Sequence, residues 1–295
     1  MIIWLASYPR SGNTFLRIVL NKCFNIKTYS VYGDKFDIAS HKKTSDVVGH
    51  KQLPENFEIE TARKSKKLYL IKTHGYIQTE DKVIYLVRDG RESIASYLQY
   101  EKNFHEREKS VKDIIIGNVG FSSWADHIAT WNPLCRKNTL LIKFENLIDD
   151  PVKHIDDISQ FLDIKPISDD IPTFKQLNSI NPKFFRSGKN DSWASLFSID
   201  DIILFWLRSY NQMKDMGYDN SIPSEITSID NSIWLGMNEI QKNIIDRNQK
   251  LEESRALLTE CNQQLEESRA LLTERNQKLE ECLKQVSKSL QQKEQ

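Results

Sequence analysis

The sequence predicts an α/β fold in three layers, in which helices cover both faces of a central parallel sheet, followed by one long C-terminal helix. Two observations predict the sheet. Short apolar runs of strand length recur between Ile2 and Phe144, and segments with apolar residues at helical spacing separate them. A third observation predicts the terminal helix. Every glycine lies at or before Gly236 and every proline at or before Pro223, so the rest of the chain lacks both helix breakers.

The predicted strands are four runs of mainly aliphatic residues, Ile2–Ser7, Leu68–Thr73, Val83–Val87 and Thr139–Phe144. Helical spacing predicts helices over Thr14–Phe24 and Ser122–Arg136. Alternating strands and helices of this kind are typical of a layered domain, which we expect to occupy residues 1–222.

Later helices carry start and stop signals. Pro151 suits the first position of a helix that carries one apolar face, formed by Val152, Ile155, Ile158 and Leu162. Ser198 and Asp201 match a capping box, and Gly217 predicts the end of the helix that they begin.

Composition excludes several classes of protein. Lys and Arg together number 41, as do Asp and Glu, so the chain carries no net charge and is not expected to coat nucleic acid. No stretch reaches the roughly 18 apolar residues of a membrane span, and no signal peptide is evident. The four cysteines form no CxxC pair. We therefore expect a cytoplasmic protein without a metal site.

A 14-residue repeat marks residues 241–295, which a linker at 223–240 is expected to join to the first domain. NQKLEESRALLTEC begins at Asn248, NQQLEESRALLTER at Asn262 and NQKLEE at Asn276. Leucines recur every seven residues, at Leu251, Leu258, Leu265, Leu272 and Leu279. This heptad predicts a coiled coil, through which residues 241–290 form a homodimer or bind a partner helix. An unpartnered solvated helix is the alternative, because half of the seam is polar.

The first candidate binding element follows the first predicted strand and opens a helix. Backbone N–H groups and the helix dipole favour an anion at such a junction. Here the junction reads Tyr8-Pro9-Arg10-Ser11-Gly12-Asn13-Thr14, which adds one cation and several side-chain donors. The two glycines and the lysine of a Walker motif are absent. The prediction is a P-loop-like phosphate site, with an ordinary capped turn as the alternative.

Three further segments carry charged groups, two of them at the ends of predicted strands, where ligands of parallel sheets bind. Lys72-Thr73-His74 ends the second strand, and Arg88 ends the third, eight residues before Ser96. The last segment is the basic loop from Phe184 to Trp193. An arginine with a nearby hydroxyl suits a phosphate monoester.

Together these segments resemble the family of sulfotransferases that use 3′-phosphoadenylylsulfate (PAPS). SYPRSGNTF is similar to the TYPKSGTTW loop of that family, and Lys72-Thr73-His74 to its KTH motif. Arg88 and Ser96 match an Arg and Ser eight residues apart, and RSGKNDSWASLF is similar to RKGxxGDWKxxF. The similarity extends from Ile2 to about Gly217.

The resemblance implies transfer of a sulfuryl group from PAPS to a hydroxyl acceptor, rather than an amine, without a metal. It casts His74 as the general base, with Lys72 and Arg10 stabilising the leaving phosphate. The nucleotide-binding residues that it implies are Arg10, Ser11, Gly12, Asn13, Thr14, Phe15, Arg88, Ser96, Arg186, Ser187 and Gly188. Ser187 departs from the family pattern, because it replaces the lysine of RKG and removes one cation from the 3′-phosphate.

Two alternative functions remain open at this stage. A kinase-like phosphotransferase would share the sheet and the phosphate loop, and a non-catalytic nucleotide-binding scaffold would keep the coiled coil. The acceptor is expected to be a small molecule or a carbohydrate, bound between the loops Tyr29–Ser65 and Phe104–Phe121. Basic side chains there suit a sugar or an anionic acceptor, and aromatic ones suit a phenol or a lipid.

Overall fold

The computed structural model describes residues 1–35, 37–105, 108–185, 192–218 and 231–291. Contacts divide the chain into two compact units, residues 1–234 and 235–295. Residues 219–230 lie outside the described ranges, and the predicted boundaries at 222 and 240 stay predictions.

The first unit is built on a parallel five-stranded sheet with the order β2-β3-β1-β4-β5. Its strands are β1 (Ile2–Ser7), β2 (Tyr29–Ser30), β3 (Tyr69–Thr73), β4 (Lys82–Val87) and β5 (Thr139–Lys143). The four predicted strands are confirmed to within a residue at each end. Phe144, predicted as the end of the last strand, instead begins a helix, and β2 was not predicted because its two residues give no alternating pattern.

Helices lie between the strands and also follow the last strand, β5. In chain order they are α1 (Asn13–Phe24), α2 (Lys42–Val48), α3 (Ile59–Lys64), α4 (Gly90–Tyr100), α5 (Val111–Ile115), α6 (Trp124–Trp131), α7 (Phe144–Asp149), α8 (Pro151–Leu162), α9 (Phe174–Ile180), α10 (Ile199–Asp215) and α11 (Asn231–Gln291). A π-helical turn, Glu101–His105, continues α4, and a 3₁₀ turn covers Trp193–Ser195.

The two faces of the sheet bury separate cores, which confirms the three-layer prediction. Successive side chains of a strand point to opposite faces. Trp4 of β1 therefore packs in one core with α4, α6 and α10, while Leu5 packs in the other with α1 and α8. The first core includes Ile94, Trp124, Trp131, Phe205 and Trp206, and the second includes Leu16, Val19, Ile84, Ile155 and Ile158.

The helix ends follow their predicted signals in part. Ser198 and Asp201 form the reciprocal capping box of α10, and Gly217 adopts the left-handed backbone just beyond its end. Ser123 caps α6, and Asn132 ends it with a left-handed backbone, so α6 is shorter at both ends than the predicted Ser122–Arg136. Val152 is 55% exposed, because it lies in the first turn of α8, where the buried face has not yet begun.

In the second unit the structure describes residues 235–291, which belong to helix α11. Its heptad leucines Leu251, Leu258, Leu265, Leu272 and Leu279 are 51–63% exposed. Among the residues that the structure describes, no helix is both long and apolar enough to cross a membrane.

Candidate functional site

A cavity of about 570 Å³ opens at the carboxyl ends of β1, β3 and β4. The parallel sheet brings these three strand ends together, as expected from its topology. Most of the predicted site residues line the cavity, namely Arg10, Gly12, Asn13, Thr14, Phe15, Lys72, His74, Arg88 and Ser96. Arg186, Ser187 and Gly188 lie outside the described residues.

Close packing shapes the loop between β1 and α1. Gly12 has a φ of 96°, and a Cβ atom at this position would lie 2.1 Å from the ring of Phe144. Only glycine fits both the backbone conformation and this contact. No side-chain hydrogen bond caps α1, and Gly12, Asn13 and Thr14 at its N-terminus line the cavity.

Two of the predicted donors hold this loop in place. The Ser11 hydroxyl lies 3.2 Å from that of Ser93 on α4, and both are buried. The Asn13 amide donates to the Leu5 carbonyl at 2.9 Å and to the Ser7 hydroxyl at 3.2 Å. These bonds join the loop to β1 and α4, so Ser11 and Asn13 serve its shape.

His74 is fixed at the end of β3 in one tautomer. Its Nδ1 lies 2.8 Å from the Ser7 carbonyl oxygen, which can only accept a hydrogen bond. Nδ1 therefore carries the proton, and Nε2 has a lone pair. The Tyr32 ring stacks on the imidazole at 5.7 Å, and the Tyr32 hydroxyl accepts the backbone N–H of His74 at 2.9 Å.

Burial keeps this imidazole neutral. Burial first, and then the nearby Lys72 ammonium, hold the pKa of His74 well below its ordinary value of 6.5, against the opposing hydrogen bond to Ser7. Behind it, His127 donates from Nε2 to the His74 carbonyl at 2.8 Å, and Tyr85 donates to Nδ1 of His127 at 2.7 Å. Burial lowers the pKa of His127 to about 4.

Lys72 is buried and points its ammonium to Asp34. Nζ donates to Oδ1 of Asp34 at 3.1 Å, while Oδ2 of the same carboxylate accepts from Arg17 at 2.6 Å. Sequence reasoning missed Asp34, which lies in a loop. A signal was nevertheless present, because Arg17 interrupts the apolar face of α1 and a buried guanidinium needs a carboxylate partner.

Arg10, Arg88 and Ser96 meet at the lining of the same cavity. Nε of Arg10 donates to the Ser96 hydroxyl at 3.3 Å, and Nη1 of Arg88 lies 3.5 Å from the Arg10 carbonyl. The Arg88 guanidinium also lies 4.9 Å from the centre of the Phe144 ring. The structure thus brings Arg10 next to Arg88 and Ser96, which lie about 80 residues further along the chain, and two of the three groups carry positive charge.

The Sulfotransferase domain family model matches residues 2–217. The chain belongs to the sulfotransferase family. Its relatives include mouse sulfotransferase 1B1, which is 26% identical over 176 residues, or 55% of this chain and 58% of the relative. Human sulfotransferase 2A1 is 32% identical over 141 residues, or 44% of this chain and 47% of the relative. The chain spans about half the length of these curated relatives.

Solved sulfotransferase structures share the fold. A mouse sulfotransferase, SULT7A1, in complex with PAP superposes with a TM-score of 0.52 at 20% identity, covering 77% of this chain and 88% of that one. Retinol dehydratase in complex with retinol and PAP gives a TM-score of 0.53 at 16% identity, covering 75% of this chain and 83% of that one.

Aromatic rings form part of the lining of this cavity, and among the predicted nucleotide-binding residues only Phe15 supplies one of them. Phe15, which replaces the tryptophan of the family loop, stacks on Phe174 with ring centres 5.3 Å apart and planes 13° apart. Tyr100 and Phe184 flank the Arg10 guanidinium at 4.9 and 5.5 Å. An aromatic wall beside cations suits a ligand with a planar base and negative charge.

Metal ligands are not clustered in the described parts of the domain. Within those ranges, no group of three or more His, Cys, Asp or Glu side chains could hold a metal ion.

Proposed function

We propose that the sulfotransferase domain transfers a sulfuryl group from PAPS to a hydroxyl acceptor, giving a sulfate ester and adenosine 3′,5′-bisphosphate (PAP). The observation that carries this proposal is the tautomer of His74. A neutral imidazole with a lone pair on Nε2 lies in the same cavity as Lys72 and the anion-binding loop. A base beside a phosphate site suits deprotonation of a hydroxyl that attacks an activated group.

The charges of the cavity match the two ends of PAPS. The N-terminus of α1 and Lys72 suit the 5′-phosphosulfate, since a helix N-terminus and an ammonium both stabilise an anion. Arg88 and Ser96 suit the 3′-phosphate, whose charge is about −1.5 to −2. Arg10, expected from the resemblance at the leaving phosphate, donates to Ser96 and is proposed here to bind the 3′-phosphate instead. Contributions from Arg186, Ser187 and Gly188 to this phosphate stay a prediction.

The stacked rings of Phe15 and Phe174 suit the adenine. Stacking of a base on an aromatic ring contributes about 1–3 kcal/mol per base. The two rings line the same cavity as the loop that would hold the 5′-phosphosulfate. Structures of a mouse sulfotransferase and of retinol dehydratase contain PAP, which supports a nucleotide in the corresponding fold.

In the proposed reaction, Nε2 of His74 takes the proton of the acceptor hydroxyl as its oxygen bonds to sulfur. The bond between sulfur and the 5′-phosphate oxygen breaks, and its electron pair stays on that oxygen. Lys72 Nζ and the N–H groups of α1 stabilise the charge that develops there. Positioning and electrostatics supply most of the catalysis in such a step, as in phosphoryl transfer.

The acceptor is proposed to be a small molecule with an apolar body. Tyr32 and Phe121 pack edge to face at 5.5 Å beside His74, and both line the cavity. Aromatic walls next to the base favour a phenol or an alcohol on a ring system over a sugar. A carbohydrate hydroxyl remains the second candidate, because Lys35 also lines the cavity.

Thermal unfolding with different ligands tests the donor site. We expect PAP to raise the Tm, because a ligand at 100 times its Kd stabilises the folded state by about 2.7 kcal/mol. A rise with ADP and Mg²⁺ but not with PAP would support the kinase alternative. A rise with PAP but no turnover would support the nucleotide-binding scaffold.

Mass spectrometry tests the transfer itself. The protein is incubated with PAPS and either 2-naphthol, androsterone or N-acetylglucosamine, and each product is examined for the gain of one SO₃ group. Gain by 2-naphthol or androsterone supports an apolar acceptor, and gain by the sugar alone supports a carbohydrate. The absence of any product and of PAP release would contradict the proposed activity.

Two further proposals concern the whole chain. Residues 241–290 are proposed to form a coiled coil with a second copy or with a partner helix. The cytoplasmic location stays a prediction: it rests on the four cysteines, which form no CxxC pair and fit a reducing compartment.

A further inference from the structure

We propose that Asp34 is a positioning residue for the sulfuryl transfer: it holds the Lys72 ammonium at the reacting end of the cavity and lowers the affinity for the bisphosphate product. This inference rests on the proposed function. It concerns a residue outside all four segments that resemble the family.

The first step concerns the need for a partner. Lys72 lies on an otherwise apolar strand, and its side chain is 9% exposed. A buried ammonium is unfavourable without a counter-charge, and its four-carbon stem has high rotamer freedom. Asp34 supplies the counter-charge at 3.1 Å and restricts the stem. Because an ammonium has three N–H donors, this bond leaves Lys72 able to donate to a second oxygen.

The second step concerns how rigidly Asp34 is held. Its carboxylate accepts from the Ser30 hydroxyl at 2.8 Å and from Arg17 at 2.6 Å. Arg17 is itself fixed by Thr28 at 2.8 Å and by His50 at 2.9 Å. All three bonding partners of the carboxylate are buried. The carboxylate is therefore a fixed reference point for the lysine.

The third step concerns charge. Burial favours protonation of Asp34, but Lys72 and Arg17 overcome it and hold the pKa of the carboxyl group well below its ordinary value. Asp34 is thus a permanent negative charge on the wall of a cavity that is proposed to bind a polyanion. It opposes binding of the nucleotide, while the contact with Lys72 aids the transfer. Asp34 thus raises the rate of transfer and lowers the affinity for the product PAP.

The test is the variant Asp34→Asn. Its kcat is measured with PAPS and whichever of 2-naphthol, androsterone and N-acetylglucosamine the wild type sulfonates, and its Kd for PAP is measured by calorimetry. We expect kcat to fall about tenfold or more, because the ammonium is no longer held in place. The Kd of PAP is expected to decrease about three- to tenfold, because one negative charge has left the cavity wall. If Asp34 only stabilised the fold, the substitution would lower kcat and would also raise the Kd of PAP.

Asp37→Asn is the matched control. Asp37 lines the same cavity, but it accepts from Tyr100 at 3.0 Å and makes no hydrogen bond with Lys72. The same loss of charge is expected to tighten PAP binding without the tenfold loss of kcat. An equal loss of kcat in both variants would overturn the proposal, since position relative to Lys72 would then be irrelevant.

A mutant cycle tests whether Asp34 acts through the lysine. Lys72→Met alone and Lys72→Met with Asp34→Asn are expected to have the same kcat. A further loss in the double variant would overturn the proposal. If Asp34→Asn does not fold, Asp34→Glu carries the test: it keeps the charge but moves the carboxylate, so kcat should fall while the Kd of PAP changes less than about twofold.

The outcomes separate this inference from the proposed function. Failure of the wild-type protein to bind PAP removes both. Binding and turnover by the wild type, with unchanged kcat in Asp34→Asn or Asp34→Glu, overturn only the role of Asp34.

Discussion

A backbone carbonyl fixes the tautomer of His74, so its proposed role as general base depends on one hydrogen bond from Nδ1 to the Ser7 carbonyl. His74→Ala is expected to lower kcat about 10²-fold or more, the usual contribution of a general base. The Kd of PAP should change little. Steady-state turnover and calorimetry check both values.

The matched control is His41→Asn. His41 caps α2 and does not line the cavity, and asparagine is also a good N-cap. Near-normal turnover of His74→Ala would remove His74 from the role of base.

The lowered pKa of His74 predicts the pH dependence of turnover. The base acts only when neutral, so kcat should fall as the pH decreases through the pKa of His74. Because burial and Lys72 hold this pKa well below 6.5, kcat should already be at its plateau at pH 6.5. A kcat–pH profile checks this, and a half-maximal rate at pH 6.5 would contradict it.

Arg88 is proposed to bind the 3′-phosphate, and a ligand without that group provides the control. Arg88→Ala is expected to raise the Kd of PAP about 10- to 100-fold, as the loss of a charge-assisted hydrogen bond of about 1.5–3 kcal/mol implies. The Kd of 5′-AMP should stay nearly unchanged. Equal weakening for both nucleotides would place Arg88 elsewhere on the ligand.

At the scale of elements, a hydrogen-bonded chain connects β4, α6 and the end of β3. Tyr85 donates to His127, and His127 donates to the carbonyl of His74. This arrangement needs a neutral His127, because its Nδ1 must accept a hydrogen bond from the Tyr85 hydroxyl. The position of the proposed base therefore depends on how helix α6 packs against strand β4 behind it.

This dependence predicts acid sensitivity of the fold. The pKa of His127 is about 4 in the folded protein and 6.5 ordinarily, so unfolding takes up a proton between these values. The free energy of unfolding should therefore decrease as the pH falls from 6.5 to 4, with at most about 3 kcal/mol from this group. Urea denaturation at several pH values measures it.

The variant His127→Gln isolates the contribution of this side chain. Glutamine can still donate to the His74 carbonyl but does not titrate. Between pH 4 and 6.5 the variant should take up about one proton fewer on unfolding, so its free energy of unfolding should depend less steeply on pH. The same slope in both proteins would contradict a buried neutral His127.

The sequence predicted the long-range assembly of the site better than its local detail. Apolar runs located four strands, and the rule for parallel sheets brought His74 and Arg88 to one edge. The sequence did not predict β2, because a strand of two residues leaves no periodic signal. Asp34 and Phe174 were missed for another reason: their roles come from contacts with Lys72 and Phe15, which lie far away in the chain.

At the scale of the whole molecule, the chain combines a layered domain with a helix of 61 residues. The prediction for this helix is self-association through its heptad leucines. Light scattering should give the mass of a dimer for the full chain and of a monomer for a chain ending at Ser232. Equal monomeric masses would contradict the coiled-coil homodimer.

Paired substitutions locate the interface on the helix. Leu265→Lys with Leu272→Lys places charges in the predicted seam and should give a monomer. Leu257→Lys lies outside the seam and is also exposed, so it should leave the dimer intact. A dimer in both cases would place the interface elsewhere.

The strand order has a consequence for biosynthesis. β1 lies in the middle of the sheet, yet its neighbours β3 and β4 begin only at Tyr69 and Lys82. During synthesis, the segment IIWLAS therefore has no strand to pair with until β3 has been made. At about 5–20 residues per second, this takes several seconds. During that interval it is an apolar segment that a nascent-chain chaperone would bind.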